Sequence, residues 1–415
     1  MKNNTNKRVF YGAVGCLILL FSGVIYAWSV LSGPIAEEFS SWSRAQLSFT
    51  FTLVMSSFCL GRLACGFTSQ RFQPSFFVRL SAVSFLIGFL LASQAKTPVG
   101  LYIGFGVLCG FASGFSYNSV LSTVNAWFPD KPGFISGVLL MGFGFSSFLV
   151  GKIYQAFTPA ILGGWRISFI VLGCVTAAVL LICSFTFPMP NETQPIPTNF
   201  VKAAPKIDSP PSSTLKSLSF WLFFFWAAGL GAVGQVIVSQ ASGITQEVGA
   251  SIAPPIIATV VGLISIFNGV GRVLHGCFYD RFGQHWSILL ITGLFLITDI
   301  VLIGAIILNS FSLVVFSFVL AGLSYGGLPP LSSTFIRHHF GVKYFSINFA
   351  FMSMSIVLSS FGSTIAGMLF DRTGSYLVCM FMIFFLISAS FLMFFGITAT
   401  ERRKNTINKT SFLML

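Results

Sequence analysis

Apolar residues run along this chain in blocks of about twenty, separated by short polar stretches. Twelve such blocks occur, roughly at 9–32, 46–69, 75–95, 99–126, 134–157, 167–187, 218–243, 252–279, 287–309, 311–335, 345–369 and 376–398. A helix of about 20 apolar residues crosses a hydrocarbon core of about 30 Å, so each block predicts one membrane span. The first block has no small-residue cleavage site, which marks it as a retained helix rather than a removable signal. The expected fold class is all-α and integral to the membrane, with twelve transmembrane helices.

Six blocks precede residue 188 and six follow 217. Between them lies MPNETQPIPTNFVKAAPKIDSPPSSTLKS, rich in Pro, Ser and Lys, which cannot bury enough apolar area to fold alone. The expected organisation is a six-helix bundle over 1–188, a flexible cytoplasmic linker over 189–217, a second six-helix bundle over 218–400 and a cytoplasmic tail over 401–415. The halves are related. GRLACGFTSQRF begins at Gly61 and GRVLHGCFYDRFG at Gly271, an offset of 210. GMLFDRTG at 367–374 and a faint GKIYQAF at 151–157 stand 216 apart. Two pairs at nearly one offset indicate a duplication, and internal repeats of this kind mark transporters whose bundles rock around a midplane site.

Composition changes the picture in one respect. The chain is 55% hydrophobic and 8% charged with mean hydropathy +0.87, against about 25% charged residues in a soluble protein. The net charge of +13 would suggest a nucleic acid, but its distribution does not. Twelve spans put both termini on one side, and that side holds 16 of the 23 Lys and Arg. The other side holds Arg44, Lys96, Lys152, Arg166 and Arg372, while Arg62 and Arg272 fall inside spans. This bias places both termini in the cytoplasm and reports topology, not a nucleic-acid partner. All eight cysteines lie in apolar blocks without metal-ligand spacing and read as packing residues, so no metal or cofactor is expected. No G-x-x-x-x-G-K-[ST] loop is present to bind ATP, which argues against a pump. No intramembrane Ser–His, paired Asp or metal cluster supports a membrane-embedded enzyme.

Arg272 is the residue the pattern makes conspicuous. It lies eight residues inside Asp280, about 12 Å at 1.5 Å per residue, too deep for easy snorkelling. A bare charge there costs at least about 2.5–3.5 kcal/mol, so it must face a cavity or a partner. Ser265, Asn268, Arg272, His275 and Tyr279 fall at steps of three and four and form one polar stripe. A guanidinium offers a rigid donor fork matched to a carboxylate. Arg272 thus reads as a substrate carboxylate clamp, or else as an internal ion pair holding helices together. Arg62, its repeat-related position, reads as a second anion contact, or as a residue capping carbonyls or pairing with Asp130. Asp299 is the only acid well inside a span. It reads as a protonation site for coupling, or as a neutral group packed against Thr292 or Thr298. His275 is the other coupling candidate, or a wall residue. Gly106, Gly110 and Gly114 recur every four residues and predict a close helix contact.

Here the chain resembles a known family. Six plus six helices, a central linker and G-x-x-x-D-R-x-G at Gly276, Asp280, Arg281 and Gly283 resemble the major facilitator superfamily and its gating motif. YAWSVLSGPIAEEFSSWSRAQLS from Tyr26, WFPDKPGFISGVLLMGFG from Trp127, GWRISFIVLG from Gly164 and the Gly271–Arg272 pair resemble the oxalate/formate antiporter family and related monocarboxylate transporters. The resemblance implies two pseudo-symmetric bundles, a monomer and a cavity lined by spans one, four, seven and ten, while the compact loops and short tails suggest a bacterial inner membrane. It thereby points to Tyr26, Tyr117, Asn118, Gln235 and Tyr325 as substrate-binding residues beside Arg272, Asn268 and Arg62. The expected function is secondary transport of a small organic anion, a monocarboxylate, driven by a proton or a counter-substrate. An exporter of larger or drug-like solutes is the alternative.

Departures accompany the likeness. The first gating copy has Gln70 where Asp is usual and Gln73 where Gly is usual. The span-eleven Lys of the oxalate/formate family falls at or near Ile356, with no Lys or Arg from 345 to 369. The Asp that monocarboxylate transporters place one turn before the span-eight Arg is Asn268.

Overall fold

A computed structural model describes residues 2–42, 44–158, 161, 163–187, 208–249 and 254–413. The long helices in chain order are α1 Lys2–Ser22, α2 Arg44–Thr68, α3 Pro74–Ser93, α4 Gly110–Trp127, α5 Pro132–Phe157, α6 Trp165–Phe185 and α7 Leu218–Val248. A continuous stretch, Pro254–Ile307, follows, then α10 Phe311–Phe340, α11 Phe345–Thr373 and α12 Leu377–Leu413. Gly283 interrupts the long stretch with φ 81° and ψ −177°, a backbone state that L side chains rarely adopt. It therefore divides into α8 (254–282) and α9 (284–307). Among the described residues, ten helical stretches are long and apolar enough to cross a membrane. With the break at Gly283 and with α5 they account for the twelve apolar blocks, so the protein is a multi-pass, all-α membrane protein.

Two spans depart from simple rods. The first block ends α1 at Ser22 and continues as a 3₁₀ turn, Gly23–Ala27, before two short helices, Trp28–Leu31 and Gly33–Glu38. The Ser113 hydroxyl donates to the Ser22 carbonyl at 2.9 Å, an outside partner of the kind that bends a helix. Gly23 also lies against Ser146, whose Cβ would stand 2.8 Å from a methyl group there. The fourth block begins with a π-helical stretch, Tyr102–Cys109, ahead of α4. Part of the expected linker, residues 189–207, lies outside the described residues. Its last segment forms a short helix, Pro211–Lys216, which starts at a proline and whose Leu215 carbonyl accepts from the Trp221 indole at 2.8 Å. α12 stays helical to Leu413, past the apolar window that closes at Ala399.

The chain divides into two compact units, Met1–Lys206 with Gly341–Phe351, and Ile207–Phe340 with Met352–Leu415. In the first, α2 packs on α4, α3 on α6 and α1 on α5; in the second, the α8–α9 hairpin packs on α10, and α7 on α10 and α12.

One crossing is built twice. A methyl group at Gly61 in α2 would meet the Phe111 carbonyl oxygen at 2.6 Å; at Gly271 in α8 it would meet that of Leu323 at 2.5 Å. From the other side, a methyl at Gly110 would stand 2.7 Å from the Val54 carbonyl, and at Gly322 2.5 Å from that of Ile264. Gly114 faces the backbone nitrogen of Arg62 at 2.8 Å, and Gly326 that of Arg272 at 3.0 Å, both measured from the same imagined carbon. Small residues let backbones touch, and the contact places each arginine at the crossing of two helices.

Candidate functional site

In the second unit the crossing of α8 and α10 delivers Arg272 into a polar group. The Arg272 Nε donates to Asn268 Oδ1 at 3.0 Å, one turn earlier on the same helix. Both residues are part-exposed. Tyr325 of α10 lies in the electrostatic field of Arg272 and hydrogen-bonds with Gln235 of α7. Gly234 makes room for the Tyr325 ring, since a Cβ there would overlap it. Four expected site residues, Gln235, Asn268, Arg272 and Tyr325, are thus brought together from three helices. His275 belongs to the same stripe but turns inward. It is buried, its Nδ1 lies 2.9 Å from the Gly271 carbonyl, and its Nε2 has no partner among the described residues.

In the first unit Arg62 is enclosed rather than presented. Its side chain is 1% exposed. The guanidinium carbon stands 4.5 Å from the ring centroids of Tyr117 and Phe349 and 5.5 Å from that of Phe58. One nitrogen donates to the Phe349 carbonyl at a long 3.4 Å, while Nε finds no acceptor among the described residues. Desolvated cation–π contacts stabilise by about 2 kcal/mol each, enough together to offset the roughly 2.5–3.5 kcal/mol cost of burying the charge. The expected carbonyl cap is therefore present, but Asp130 is not the partner. Arg8 pairs with Asp130 and lies 4.6 Å over the Phe128 ring, which leaves that acid engaged at the end of α1.

Tyr117 and Tyr26 both pack against Phe143, with centroids 4.8 and 5.3 Å away. Asn118 is fully buried, and its amide nitrogen lies within 3.1 Å of the Arg62 carbonyl, the Ser346 carbonyl and the Ser346 hydroxyl. It braces backbone instead of lining open space. In the motif expected to form a gate, Gly276 is buried, Asp280 part-buried and Arg281 exposed beside the Phe282 ring at 5.3 Å, with Gly283 ending α8. Asp299 in α9 is fully buried. The expected threonine partners are engaged elsewhere: Thr292 donates to the Ile288 carbonyl and Thr298 to that of Leu294.

Sequence reasoning missed a second duplicated feature. Glu38 accepts from the Trp165 indole at 2.7 Å and from Arg166 Nη1 at 2.5 and 2.7 Å, at the start of α6. Glu247 at the end of α7 accepts from the Ser375 hydroxyl at 2.7 Å and the Tyr376 backbone N–H at 2.9 Å, at the start of α12. The partners 165–166 and 375–376 stand 210 apart, the offset of the arginine motif, and that spacing is the signal that could have found them. Hydrogen bonds from Arg166, aided by the Trp165 indole, hold the Glu38 carboxyl below the usual carboxylate range despite partial burial.

The sequence model of the Major Facilitator Superfamily matches residues 13–251 and 236–412. The oxalate:formate antiporter of Oxalobacter formigenes is 23% identical over 358 residues, covering 83% of this chain and 80% of that protein. Monocarboxylate transporter 11 of Homo sapiens is 26% identical over 170 residues, covering 41% of this chain and 33% of that protein. The crystal structure of the superfamily transporter FucP in the outward conformation aligns with a TM-score of 0.66 at 12% identity, over 94% of this chain and 99% of that one, a likeness of fold alone.

Proposed function

The chain belongs to the major facilitator superfamily, and on that premise we propose that it is a secondary active transporter of a small organic anion, a monocarboxylate, with Arg272 as the carboxylate clamp. The carrying observation is the grouping of Arg272 with Asn268, Tyr325 and Gln235 in a part-exposed polar group deep in an apolar bundle. An amide on Nε orients the guanidinium plane without adding a negative charge, so an incoming carboxylate meets a fixed donor fork. Tyrosine and glutamine beside it supply hydrogen bonds suited to a small polar body. Similarity to an oxalate:formate antiporter and to a monocarboxylate transporter supports the substrate class. Asn268 in place of an acid, and the absence of Lys or Arg from 345 to 369, favour one negative charge over two.

The halves 1–188 and 218–400 act as the rocking bundles, joined by the cytoplasmic linker 189–217. The 16 basic residues on the terminal side place both termini in the cytoplasm, and the protein works as a monomer in a bacterial inner membrane. Tyr26 and Tyr117 shape the first bundle's side of the path while Asn118 braces the backbone behind them, and Gly276, Asp280, Arg281 and Gly283 form the gate.

The test is uptake into proteoliposomes of labelled formate, acetate, lactate, pyruvate, oxalate and succinate, with wild type beside Arg272→Gln. Saturable uptake of one monocarboxylate is expected. A charge-assisted hydrogen bond contributes about 1.5–3 kcal/mol, so its loss lowers affinity on the order of ten- to a hundredfold. Undiminished uptake by folded Arg272→Gln would make Arg272 structural.

A further inference from the structure

Asp299 is placed where a carboxylate has no reason to persist unless it titrates. It lies eight residues before the Ile307 end of α9, about 12 Å along the helix axis. It is fully buried, and neither carboxylate oxygen has a hydrogen-bond partner among the described residues. The two nearest hydroxyls of its own helix donate to backbone: Thr292 to Ile288 and Thr298 to Leu294. The Trp226 indole of α7 donates to Thr292 Oγ1 at 3.0 Å and so is also occupied.

The helices packed on α9 bring little charge to this level. Residues 254–271 of α8 and 311–324 of α10 contain no ionisable side chain. Residues 232–248 of α7 contain only Glu247, and 377–392 of α12 only Cys379. Glu247 is bound to Ser375 and Tyr376, and the Cys379 thiol donates to the Ala366 carbonyl at 3.3 Å. The groups that remain on these helices, Arg272, His275, Cys277, Tyr279, Asp280, Arg281 and His285 on the α8–α9 hairpin, Tyr325, Arg337, His338 and His339 on α10, and Glu401 with the basic residues beyond Ala399 on α12, lie towards the opposite ends or, for Arg272 and Tyr325, in the clamp.

A charged, unpaired carboxylate in such a place costs far more than protonating it. A metal cation would need a shell of several ligands, and no group of three or more His, Cys, Asp or Glu that could hold one occurs among the described residues. Even as a neutral acid the group leaves a donor and an acceptor unpaired, a cost that an apolar residue would remove. We propose that Asp299 is a proton-binding site of the transport cycle, a neutral carboxylic acid in this conformation that releases its proton in another. The balance is one carboxylate plus one proton giving one carboxylic acid. Moving one monoanion with that proton transfers no net charge. The proposal rests on the transporter reading above and supplies its coupling ion.

The experiment compares wild type, Asp299→Asn and Arg272→Gln in proteoliposomes in two modes. One is net uptake of labelled formate, acetate, lactate or pyruvate driven by an acid exterior. The other is exchange against the same acid preloaded inside, which requires no net proton movement. Asp299→Asn is expected to lose the gradient-driven accumulation and keep exchange, whereas Arg272→Gln loses both. Wild-type-like accumulation in Asp299→Asn, an absent response of wild type to the gradient, or loss of both modes by a folded Asp299→Asn would overturn the proposal. Should the variant fail to fold, wild-type protein decides: dicyclohexylcarbodiimide reacts with protonated carboxyls in apolar surroundings. Modification at Asp299 by mass spectrometry, declining as pH rises, is expected, and no modification at any pH refutes it. If no acid moves in wild type the transport reading fails, and the labelling still decides Asp299.

Discussion

At Gly61 and Gly271 a methyl group would meet the opposing carbonyl at 2.6 and 2.5 Å, yet the arginine beside each glycine ends in a different environment. Arg62 lies among three aromatic rings and is 1% exposed; Arg272 is held by an amide and remains part-exposed. The two crossings repeat the same backbone contacts because glycine permits the close approach twice. The side chains differ in part because position 58 carries Phe and its equivalent 268 carries Asn. The nearer rings on Arg62, Tyr117 and Phe349 at 4.5 Å, come from other helices, so the residue a turn before the arginine acts together with its neighbours across the packing. A duplicated scaffold thus holds the same arginine position in two environments, one ringed by aromatics and one beside an amide.

The largest effect is expected from breaking the shared backbone contact. Gly61→Ala and Gly271→Ala should each destabilise by about 1–3 kcal/mol, because carbonyl groups cannot step aside as side chains can. Gly262→Ala, where a methyl meets nothing within 4 Å, should be neutral or slightly stabilising. Thermal unfolding in detergent, together with the folded fraction by size exclusion, compares the three.

The arginines can then be separated. Arg62→Gln should lower stability while uptake of the transported acid keeps its KM, whereas Arg272→Gln raises KM or abolishes uptake. Equal losses of affinity in both would show that both touch the anion, and the comparison of caged and presented charge would collapse.

A finer change sharpens the polar copy. Asn268→Asp puts a carboxylate on Arg272 Nε that competes with the substrate. Uptake at neutral pH should fall several-fold, since a charge-assisted bond is about twice as strong as a neutral one. Acidification protonates the new carboxyl and should restore uptake, measured as KM against pH.

The smallest effect concerns the two carboxylate ties. Glu38 is held below the ordinary carboxylate range by Arg166, so its contribution is present above the unfolded value and is lost as pH falls through the lowered folded one. Wild type should melt a few degrees above Glu38→Gln at neutral pH, and the gap should close below about pH 4. A gap that widened with acid would reverse the assignment.

Much was written in the chain itself. Blocks of about twenty apolar residues fix spans because the bilayer thickness sets the helix length. The 210-residue offset exposed the duplication, the Gly110 and Gly114 spacing anticipated the tight crossing, and the i, i+4 step put Asn268 beside Arg272. Each is a local or periodic signal, readable because a helix relates neighbours by a fixed rotation. The rest depended on residues far apart. Phe349 closes on Arg62 across 287 positions, and Ser346 on Asn118 across 228. Glu38 finds Arg166 across 128 and Glu247 finds Tyr376 across 129. The Ser113 bond that accompanies the bend after Ser22 spans 91. No periodicity specifies such pairs, because which faces meet is set by how helices pack. The sequence determined that charges lie within the membrane and at which depth. Tertiary packing alone decided which of them is wrapped in rings, which stays part-exposed beside an amide and which is buried away from any hydrogen-bond partner among the described residues.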